Sequence, residues 1–311
     1  MLALQDQCPK AYVLGHPIKH SKSPLLHLTA YRALGLEIDY QRLDTREDQL
    51  ADVFAAYGPE QGTCGFSVTM PLKLAVIDQL DQLTPFAQAV GVVNTVYWRQ
   101  NAAGQLTSWG DNTDVSGIVN ALRQAGLQGP VKEAAILGGG GTATAALAAL
   151  KLMGAQTLSV FVRNPSRAQG LAQAASRLGL SLDFQPLSAF ASSYADFEVT
   201  ISTLPAGAAD GLLEGVGDQL PARYLLDVSY DPWPSVLASG WEARGGKVTS
   251  GLEMLMYQAV DQVKLFTGRG RDESLPEQKQ VLAAMREAVG LPPTGFEPDP
   301  VNEALLLTGS Q

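Results

Sequence analysis

An α/β protein with two domains and mainly parallel sheets is predicted by three features of the sequence. Short apolar runs alternate with longer helix-like segments along most of the chain, which is typical of βα units. The length of 311 residues exceeds the usual size of one domain. A glycine cluster at 138–141 lies between an apolar run and an alanine-rich stretch, which indicates a tight turn from a strand into a helix.

The first third of the chain predicts three strands, two helices and a hairpin. The first helix covers 24–34, with Ser23 as its N-cap and Pro24 at its first position. Pro71 is likewise suited to the first turn of the second helix. The strands are predicted at 11–15, 38–43 and 65–70, and the hairpin joins 93–99 to 106–110 across a turn at Asn101–Gly104.

A second βα series follows a connecting helix at 115–125. Its strands are predicted at 134–137, 157–162, 181–185, 197–202, 224–230 and 247–250, and its helices at 142–153 and 165–178. Two further helices are predicted at 251–267 and 275–289. Four prolines follow Leu291, so the tail is predicted to be a loop or a weakly ordered extension.

Composition narrows the possible partners. The formal net charge of −9 argues against nucleic acid and against an anionic membrane, because both select clustered basic residues. Cys8 and Cys64 are the only cysteines, too few for a disulfide framework or a thiolate metal site. The first ten residues do not resemble a signal peptide, and no apolar run reaches membrane-spanning length. We therefore expect a cytoplasmic protein that acts on a small molecule; a homodimer is a hypothesis that the sequence does not test.

The segment 134–143 indicates a dinucleotide site. An apolar run leads directly into Gly138, Gly139, Gly140, Gly141, Thr142 and Ala143, which fit the spacing G-x-G-x-x-A. In that spacing Gly138 makes the turn and Gly140 lets the backbone approach a pyrophosphate at the start of the helix. The alternative is a flexible turn, which does not explain why the glycines lie where helix amides point at an anion.

The end of the next predicted strand favours NADP over NAD. NAD-binding enzymes usually carry Asp or Glu there, but no acidic residue occurs between Glu133 and Asp183. Arg163 and Arg167, with Asn164 between them, stand at this place and offer forked donors to a 2′-phosphate. The alternative is a pair of solvated arginines at the start of a helix.

Lys73 and Asp114 are the candidate catalytic residues. Lys73 ends S-V-T-M-P-L-K (67–73), and Asp114 ends G-D-N-T-D (110–114). An ammonium and a carboxylate suit proton transfer beside a reacting carbonyl, and with a hydride carrier they predict carbonyl reduction. Taken singly, Lys73 is also readable as an exposed helix lysine and Asp114 as a helix N-cap.

The remaining polar candidates suit a hydroxylated acid. Ser21 and Ser23 lie beside a predicted helix start and could bind a carboxylate, although Ser23 has the alternative role of N-cap. Thr69 and Asn94 are polar within apolar surroundings, and an unmade buried hydrogen bond costs about 1–3 kcal/mol, so such groups enforce specificity. His16, His20 and His27 lie close in sequence without further ligands, and no metal site is predicted.

Taken together, these segments resemble the shikimate dehydrogenase family from about residue 11 to residue 290. The matching segments are H-S-K-S-P (20–24), V-T-M-P-L-K (68–73), V-N-T (93–95), G-D-N-T-D, the glycine turn, the arginine-bearing strand end and S-G-L-E-M-L-M-Y-Q-A (250–259). S-V-T-M-P and S-Y-D-P-W-P (229–234) resemble the actinobacterial branch. Three features depart from the family pattern: Ser67 replaces the common Asn, Val162 and Asn164 replace Asn and Thr around Arg163, and the extension after Leu291 has no counterpart.

The resemblance implies the domains, the reaction and the site. Residues 1–113 with 251–290 would form an N-terminal α/β substrate-binding and catalytic domain, 114–250 a Rossmann-type NADP-binding domain, and 291–311 a C-terminal extension, with the active site in the cleft between the domains. The reaction would be the reversible reduction of 3-dehydroshikimate to shikimate by NADPH, in aromatic amino acid biosynthesis. Lys73 and Asp114 would be catalytic; Ser21, Ser23 and Tyr230 would hold the carboxylate; Thr69, Asn94 and Gln258 would reach ring hydroxyls; Gly138 to Thr142 would hold the pyrophosphate, with Val228 and Gly251 near the nicotinamide.

Three other functions remain open at this point. An NAD-dependent quinate/shikimate dehydrogenase is disfavoured by the missing acidic residue after the second strand. Methylenetetrahydrofolate dehydrogenase shares the broad architecture, but a pterin would favour an aromatic or apolar cleft over paired serines. A non-catalytic NADP-binding sensor would have no need of both Lys73 and Asp114.

Overall fold

The computed structural model describes residues 9–217 and 223–301, which form two compact units. The described residues of the first unit are 9–88, 92–113 and 258–300. Those of the second are 89–91, 114–217, 223–257 and 301. Each unit is built on one six-stranded sheet, and only the pairs β3–β5 and β5–β6 of the described strands are antiparallel, so the predicted α/β class with mainly parallel sheets is confirmed.

The first unit contains a mixed sheet in the order β2-β1-β3-β5-β6-β4. Its strands are β1 (Lys10–Gly15), β2 (Asp39–Asp44), β3 (Thr63–Val68), β4 (Gln82–Leu83), β5 (Thr95–Gln100) and β6 (Leu106–Asp111). Strand β1 is parallel to β2 and β3, whereas β5 is antiparallel to β3 and β6. The helices of this part of the chain are α1 (Ser23–Ala33), α2 (Leu50–Ala56) and α3 (Pro85–Val90).

Aromatic residues form the centre of the first core. Phe66 packs edge-on against Trp98, with 5.3 Å between ring centroids, and Leu14, Leu72 and Val76 are fully buried beside them. Burying such side chains stabilises a fold by about 1.5–3 kcal/mol each. Residues of β1, β3 and β5 therefore pack against the segment that follows β3.

Strand register brings several chain segments to one edge of this sheet. Ser67 of β3 is opposite Thr95 of β5, and Thr95 is opposite Asp111 of β6. Since β1 and β3 are parallel, Gly15 also ends at this edge. Residues that follow β1, β3 and β6, and those that precede β5, therefore lie near one another.

The second unit contains a parallel sheet in the order β12-β11-β10-β7-β8-β9. Its strands are β7 (Glu133–Leu137), β8 (Thr157–Val162), β9 (Leu182–Pro186), β10 (Val199–Ser202), β11 (Tyr224–Asp227) and β12 (Lys247–Ser250). Its helices are α4 (Asp114–Gln124), α5 (Gly141–Leu152), α6 (Gln169–Arg177) and α7 (Val236–Ala243). Counted from β7 this is the doubly wound order 3-2-1-4-5-6, in which ligands bind beyond the carboxyl ends of the strands.

Two helices complete the described chain. Helix α8 (Gly251–Phe266) begins in the second unit and continues into the first, and α9 (Gln278–Ala288) belongs to the first. Residues 291–301 form no helix or strand, and Pro292 O accepts a hydrogen bond from Arg286 Nε at 2.7 Å. The predicted extension continues to 311, but 302–311 lie outside the described residues, as does Cys8.

The predicted helix after Pro71 is wrong. Residues 70–74 form a turn that leads into a short 3₁₀ helix at Ala75–Gln79. The carbonyl of Lys73 accepts a hydrogen bond from Val93 N at 2.8 Å, so it bonds across the sheet edge instead of continuing a helix. Buried Leu72 and Val76 produce the apolar spacing that resembles a helix in sequence.

Three smaller predictions also differ from the structure. Ser23 is the first residue of α1, whose N-cap is Lys22, so the predicted capping role of Ser23 is wrong. The strand predicted at 224–230 ends at Asp227, whose carboxylate accepts a hydrogen bond from Ser229 N at 3.2 Å. The helix predicted at 165–178 is divided into a 3₁₀ turn (Pro165–Arg167) and α6. Helices α2, α3 and α7 and strand β4 were not predicted.

Candidate active site

The sheet edge of the first unit carries the turn with Thr69 and Lys73. Thr69 N donates to Leu14 O at 2.9 Å, and His16 N donates to Met70 O at 3.0 Å. A Cβ at Gly15 would lie 2.4 Å from Thr69 Cγ2, so this glycine is required for the turn to approach β1. Lys73 follows with a half-buried side chain, between fully buried Leu72 and exposed Leu74. The turn thus fixes the backbone of the candidate proton donor.

Asn94 is buried and bonds to the segment that precedes Asp114. Its Oδ1 accepts from Thr113 N at 2.8 Å, and its Nδ2 donates to Thr113 Oγ1 at 3.0 Å. The same Nδ2 donates to Gln258 Oε1 at 3.3 Å. The structure therefore brings together Asn94 and Gln258, two predicted substrate residues that are 164 positions apart in sequence.

Asp114 directly follows this cluster and is the first residue of α4. Its side chain is 5 % exposed. A carboxylate in the first turn of a helix is stabilised by the helix dipole. The residue before Asp114, Thr113, is held by Asn94 within the first unit.

Ser21 and Ser23 flank the start of α1. Ser23 N donates to Ser21 Oγ at 3.3 Å, and Ser21 O accepts two bonds from the guanidinium of Arg42, at 3.2 and 2.6 Å. Ser23 is buried, whereas Ser21 is half-buried. Ser23 is the first residue of α1 and not its N-cap, and its side chain is hydrogen-bonded to that of Tyr40.

A second buried network centres on Gln262 of α8. Gln262 Oε1 accepts from Ser67 Oγ at 2.7 Å and pairs with His27 Nε2 at 3.1 Å, while Tyr40 OH donates to Ser67 Oγ at 2.6 Å. His27 stacks on the Tyr40 ring at 4.1 Å. Burial lowers the pKa of His27 to about 3, only partly offset by the Gln262 hydrogen bond, so the imidazole is neutral at physiological pH. Burial raises the pKa of Tyr40.

Sequence reasoning missed Gln262 and the full role of Ser67. Gln262 follows Gln258 by four residues, so both lie on one face of α8. A pair of amides at this spacing in an apolar helix is a usable signal. Ser67, noted only as a departure from the family pattern, is hydrogen-bonded to both Gln262 and Tyr40.

The glycine turn of the second unit lies directly after β7. Gly138 has φ of +104°, and a Cβ there would lie 2.6 Å from Thr203 Oγ1, so only glycine fits. Gly140 is the N-cap of α5, and a Cβ there would meet no atom within 4 Å. Gly139, Gly141 and Thr142 complete the turn. The open space at the start of an α-helix fits a pyrophosphate, which backbone amides would hold.

Arg163 and Asn164 follow β8, the neighbour of β7. Both side chains are exposed, and Asn164 Oδ1 accepts from Ser166 N at 3.0 Å and from Ser166 Oγ at 2.7 Å. Asn164 thus caps the Pro165–Arg167 turn, which is a structural role. The side chain of Arg167 lies outside what the structure describes. Arg163 is suited to a 2′-phosphate by position and charge.

Val228 and Gly251 meet where β11 and β12 end. A Cβ at Gly251 would lie 1.9 Å from Val228 O, so the two backbones are in contact. Asp227, 2 % exposed, accepts from Ser235 Oγ at 2.6 Å as well as from Ser229 N, and thereby joins both ends of the loop that contains Tyr230. Burial raises the pKa of Asp227 and also that of Tyr230. A planar ring bound here would contact the backbone of Val228 and Gly251.

Two of the three histidines have protein partners. His16 Nδ1 pairs with Asp44 Oδ1 at 2.5 Å, and His27 belongs to the Gln262 network. Within residues 9–217 and 223–301, no group of three or more His, Cys, Asp or Glu side chains is arranged to hold a metal ion. No helix in these same ranges is both long and apolar enough to cross a membrane.

Comparison with known proteins gives a consistent picture. A family model described as shikimate dehydrogenase substrate binding domain matches residues 13–96. A shikimate dehydrogenase (NADP(+)) of Citrifermentans bemidjiense is 34 % identical over 289 residues, which is 91 % of this chain and 97 % of that protein. The crystal structure of Mycobacterium tuberculosis shikimate dehydrogenase is 38 % identical, with a TM-score of 0.75 over 90 % of this chain and 99 % of the other. Shikimate 5-dehydrogenase of Thermus thermophilus, solved with NADP(H) and shikimate, is 31 % identical, with a TM-score of 0.70 and 90 % and 99 % coverage.

Proposed function

The chain belongs to the shikimate dehydrogenase family, and we propose that it catalyses the reversible reduction of 3-dehydroshikimate to shikimate with NADPH, in aromatic amino acid biosynthesis. The observation that carries this proposal is the sheet edge of the first unit. There the Lys73 turn, the Asn94–Gln258 pair and the Asp111–Thr113 segment converge around polar groups suited to a hydroxylated ring.

The two predicted domains take different parts of the reaction in this proposal. Residues 1–113 with 251–290 bind the substrate, and residues 114–250 bind the cofactor; the compact units divide the chain differently, with 89–91 and 251–257 in the second unit. The doubly wound order of the second sheet, and a glycine turn after its first strand, support the second assignment.

Lys73 and Asp114 perform the proton chemistry. NADPH, when bound, supplies the hydride. Lys73, as an ammonium, donates a proton to the oxygen that becomes the C3 hydroxyl and stabilises its developing negative charge. Asp114 accepts a hydrogen bond from a neighbouring hydroxyl and orients Lys73.

The remaining candidates hold the two ligands. Ser21, Ser23 and Tyr230 bind the substrate carboxylate, and Thr69, Asn94 and Gln258 bind ring hydroxyls. Gly138, Gly139, Gly140, Gly141 and Thr142 would hold the pyrophosphate, Arg163 and Arg167 the 2′-phosphate, and Val228 and Gly251 the nicotinamide. Asn164 contributes to cofactor binding indirectly, because it caps the turn that contains Arg167.

A quinate dehydrogenase that uses NAD is the second candidate, and the exposed Arg163 after β8 argues against it. The two functions are distinguished by shikimate and quinate oxidation, each with NADP and with NAD, followed by absorbance of the reduced nicotinamide. We expect the highest kcat/KM for shikimate with NADP. Oxidation of quinate with NAD at a higher kcat/KM would favour the second candidate, and absence of oxidation in all four reactions would refute both.

A cytoplasmic location and a homodimeric state are further parts of the proposal. Neither nucleic acid nor a membrane is a partner in it. Sedimentation analysis of the purified chain tests the dimer.

A further inference from the structure

Arg271 joins two carboxylates inside the first unit. Its Nη1 pairs with Asp111 Oδ1 at 3.2 Å, and its Nη2 pairs with Asp261 Oδ2 at 3.4 Å. Lys264 Nζ pairs with the other oxygen of Asp261 at 3.0 Å. The four side chains are between 2 and 13 % exposed, so this ion-pair network is shielded from water.

The network ends on the segment that leads into Asp114. Asp111 Oδ1 also accepts from Asn112 N at 2.7 Å and from Thr84 Oγ1 at 3.0 Å. Asn112 Nδ2 then donates to Val92 O at 3.0 Å, and Thr113 N donates to Asn94 Oδ1 at 2.8 Å. Three consecutive residues are thus each fixed by a side-chain hydrogen bond, and the next residue in the chain is Asp114.

A buried ion-pair network is a poor way to gain stability alone, because desolvation of the charges offsets most of their attraction. Its geometry is informative, however. The planar guanidinium of Arg271 bonds Asp111 on one arm and Asp261 of α8 on the other. Gln258, on the same helix three residues before Asp261, bonds Asn94. The network therefore ties the helix that carries Gln258 to the segment that precedes Asp114.

We propose that Arg271 is a positioning residue for the reaction. It holds the 111–113 segment and α8 in the relative position that orients Asp114 and Gln258. The inference depends on the proposed catalytic role of Asp114. Arg271 does not act on the substrate. Its effect is exerted through Asp111 and Asp261.

Steady-state kinetics of R271M and R271K test this proposal, with R269M as a matched control. Arg269 is a neighbouring arginine whose ion pair with Glu273 is exposed, at 3.7 Å. We expect R271M to lose on the order of 100-fold in kcat, the loss that a displacement of about 1 Å produces, with an unchanged KM for NADPH. R271K keeps the positive charge but lacks the two-armed guanidinium. Its kcat should therefore lie between the values of R271M and the wild type. R269M should match the wild type.

Thermal unfolding and circular dichroism establish that each variant is folded. A folded R271M with the kcat of R269M would overturn the proposal. If R271M does not fold, R271K decides: a reduced kcat with an unchanged KM for NADPH supports the proposal, and a wild-type kcat overturns it. Failure of the proposed function is recognised separately, because wild type and R269M would then both be inactive.

Discussion

The two units prepare their ligand sites in different ways. In the first, two candidate substrate residues, Asn94 and Gln258, are bonded to each other through their side chains at 3.3 Å, and the buried side chains of Ser67 and Gln262 are bonded at 2.7 Å. In the second, the glycine turn at 138–141 depends on the backbone: Gly138 N donates to Phe161 O at 2.9 Å, and Thr144 N donates to Gly140 O at 3.3 Å.

This difference predicts different sensitivities to substitution. A buried side-chain network fails when any one member is left without its partner, at about 1–3 kcal/mol for each unsatisfied group. A site formed by backbone groups, such as the glycine turn at 138–141, tolerates side-chain changes elsewhere but not an added Cβ where the ligand approaches. Substitutions in the two units should therefore alter different kinetic constants.

The largest effect is expected in the first unit, at Lys73. K73M should lower kcat by about 10²–10⁴-fold, since general acid catalysis contributes that much, while shikimate binding changes little. Steady-state kinetics give kcat, and equilibrium dialysis gives shikimate affinity. A wild-type kcat in K73M would remove this lysine from the mechanism.

Arg163 provides the next largest effect, and it lies in the second unit. R163A should lower the preference for NADPH over NADH by roughly 10- to 100-fold, because a charge-assisted hydrogen bond contributes about 1.5–3 kcal/mol. The ratio of kcat/KM for the two cofactors measures it. R123A, at an exposed position of α4, is the control. If R163A and the wild type prefer NADPH over NADH equally, the 2′-phosphate is bound by other residues.

Two variants, G140A and G138A, test the glycine turn itself. The Cβ added in G140A would lie more than 4 Å from every neighbouring heavy atom, so the variant should keep the Tm of the wild type. The same Cβ would occupy the space proposed for the pyrophosphate, so the KM for NADPH should rise about tenfold, equivalent to about 1.4 kcal/mol. G138A places a Cβ at φ +104° and 2.6 Å from Thr203 Oγ1, so it should lower stability by about 1–3 kcal/mol. An unchanged KM in G140A would show that no phosphate approaches that glycine.

The remaining effect is on stability alone and is a pH dependence that comes from the first unit. The pKa of His27 is about 3 in the folded chain and 6.5 when exposed, so below pH 6.5 the unfolded chain binds a proton that the folded chain does not. The free energy of unfolding should therefore fall with decreasing pH by up to about 1.4 kcal/mol per unit between these values. Urea unfolding of wild type and H27Q at pH 7 and pH 5 isolates this contribution. Parallel changes in both proteins would contradict it.

The parts of the structure that local pattern determines were predictable from sequence. The strand at 157–162 matches β8, and the turn at Asn101–Gly104 joins β5 to β6, where Asn101 Oδ1 accepts from Ala103 N at 2.9 Å. The glycine turn was predictable for the same reason, since Gly138 has φ of +104°, which favours glycine.

The parts that depend on long-range partners were not predictable. The helical spacing of Leu72 and Val76 predicts a helix at Lys73, yet the Val93 hydrogen bond that ends the turn comes from a distant segment of the chain. Arg271 and Asp111 are 160 residues apart, and neither lies in a pattern that identifies its partner. Side-chain networks of this kind are determined by tertiary packing, which a single sequence does not display.

We propose that Lys73 and Asp114 together act on the substrate carbonyl. A crystal structure with NADP and shikimate bound tests it most directly. We predict Lys73 Nζ within about 2.6–3.2 Å of the C3 oxygen, and the Asp114 carboxylate at a similar distance from that oxygen or its neighbouring hydroxyl. Both side chains directed into solvent, with the ligands bound, would contradict the account.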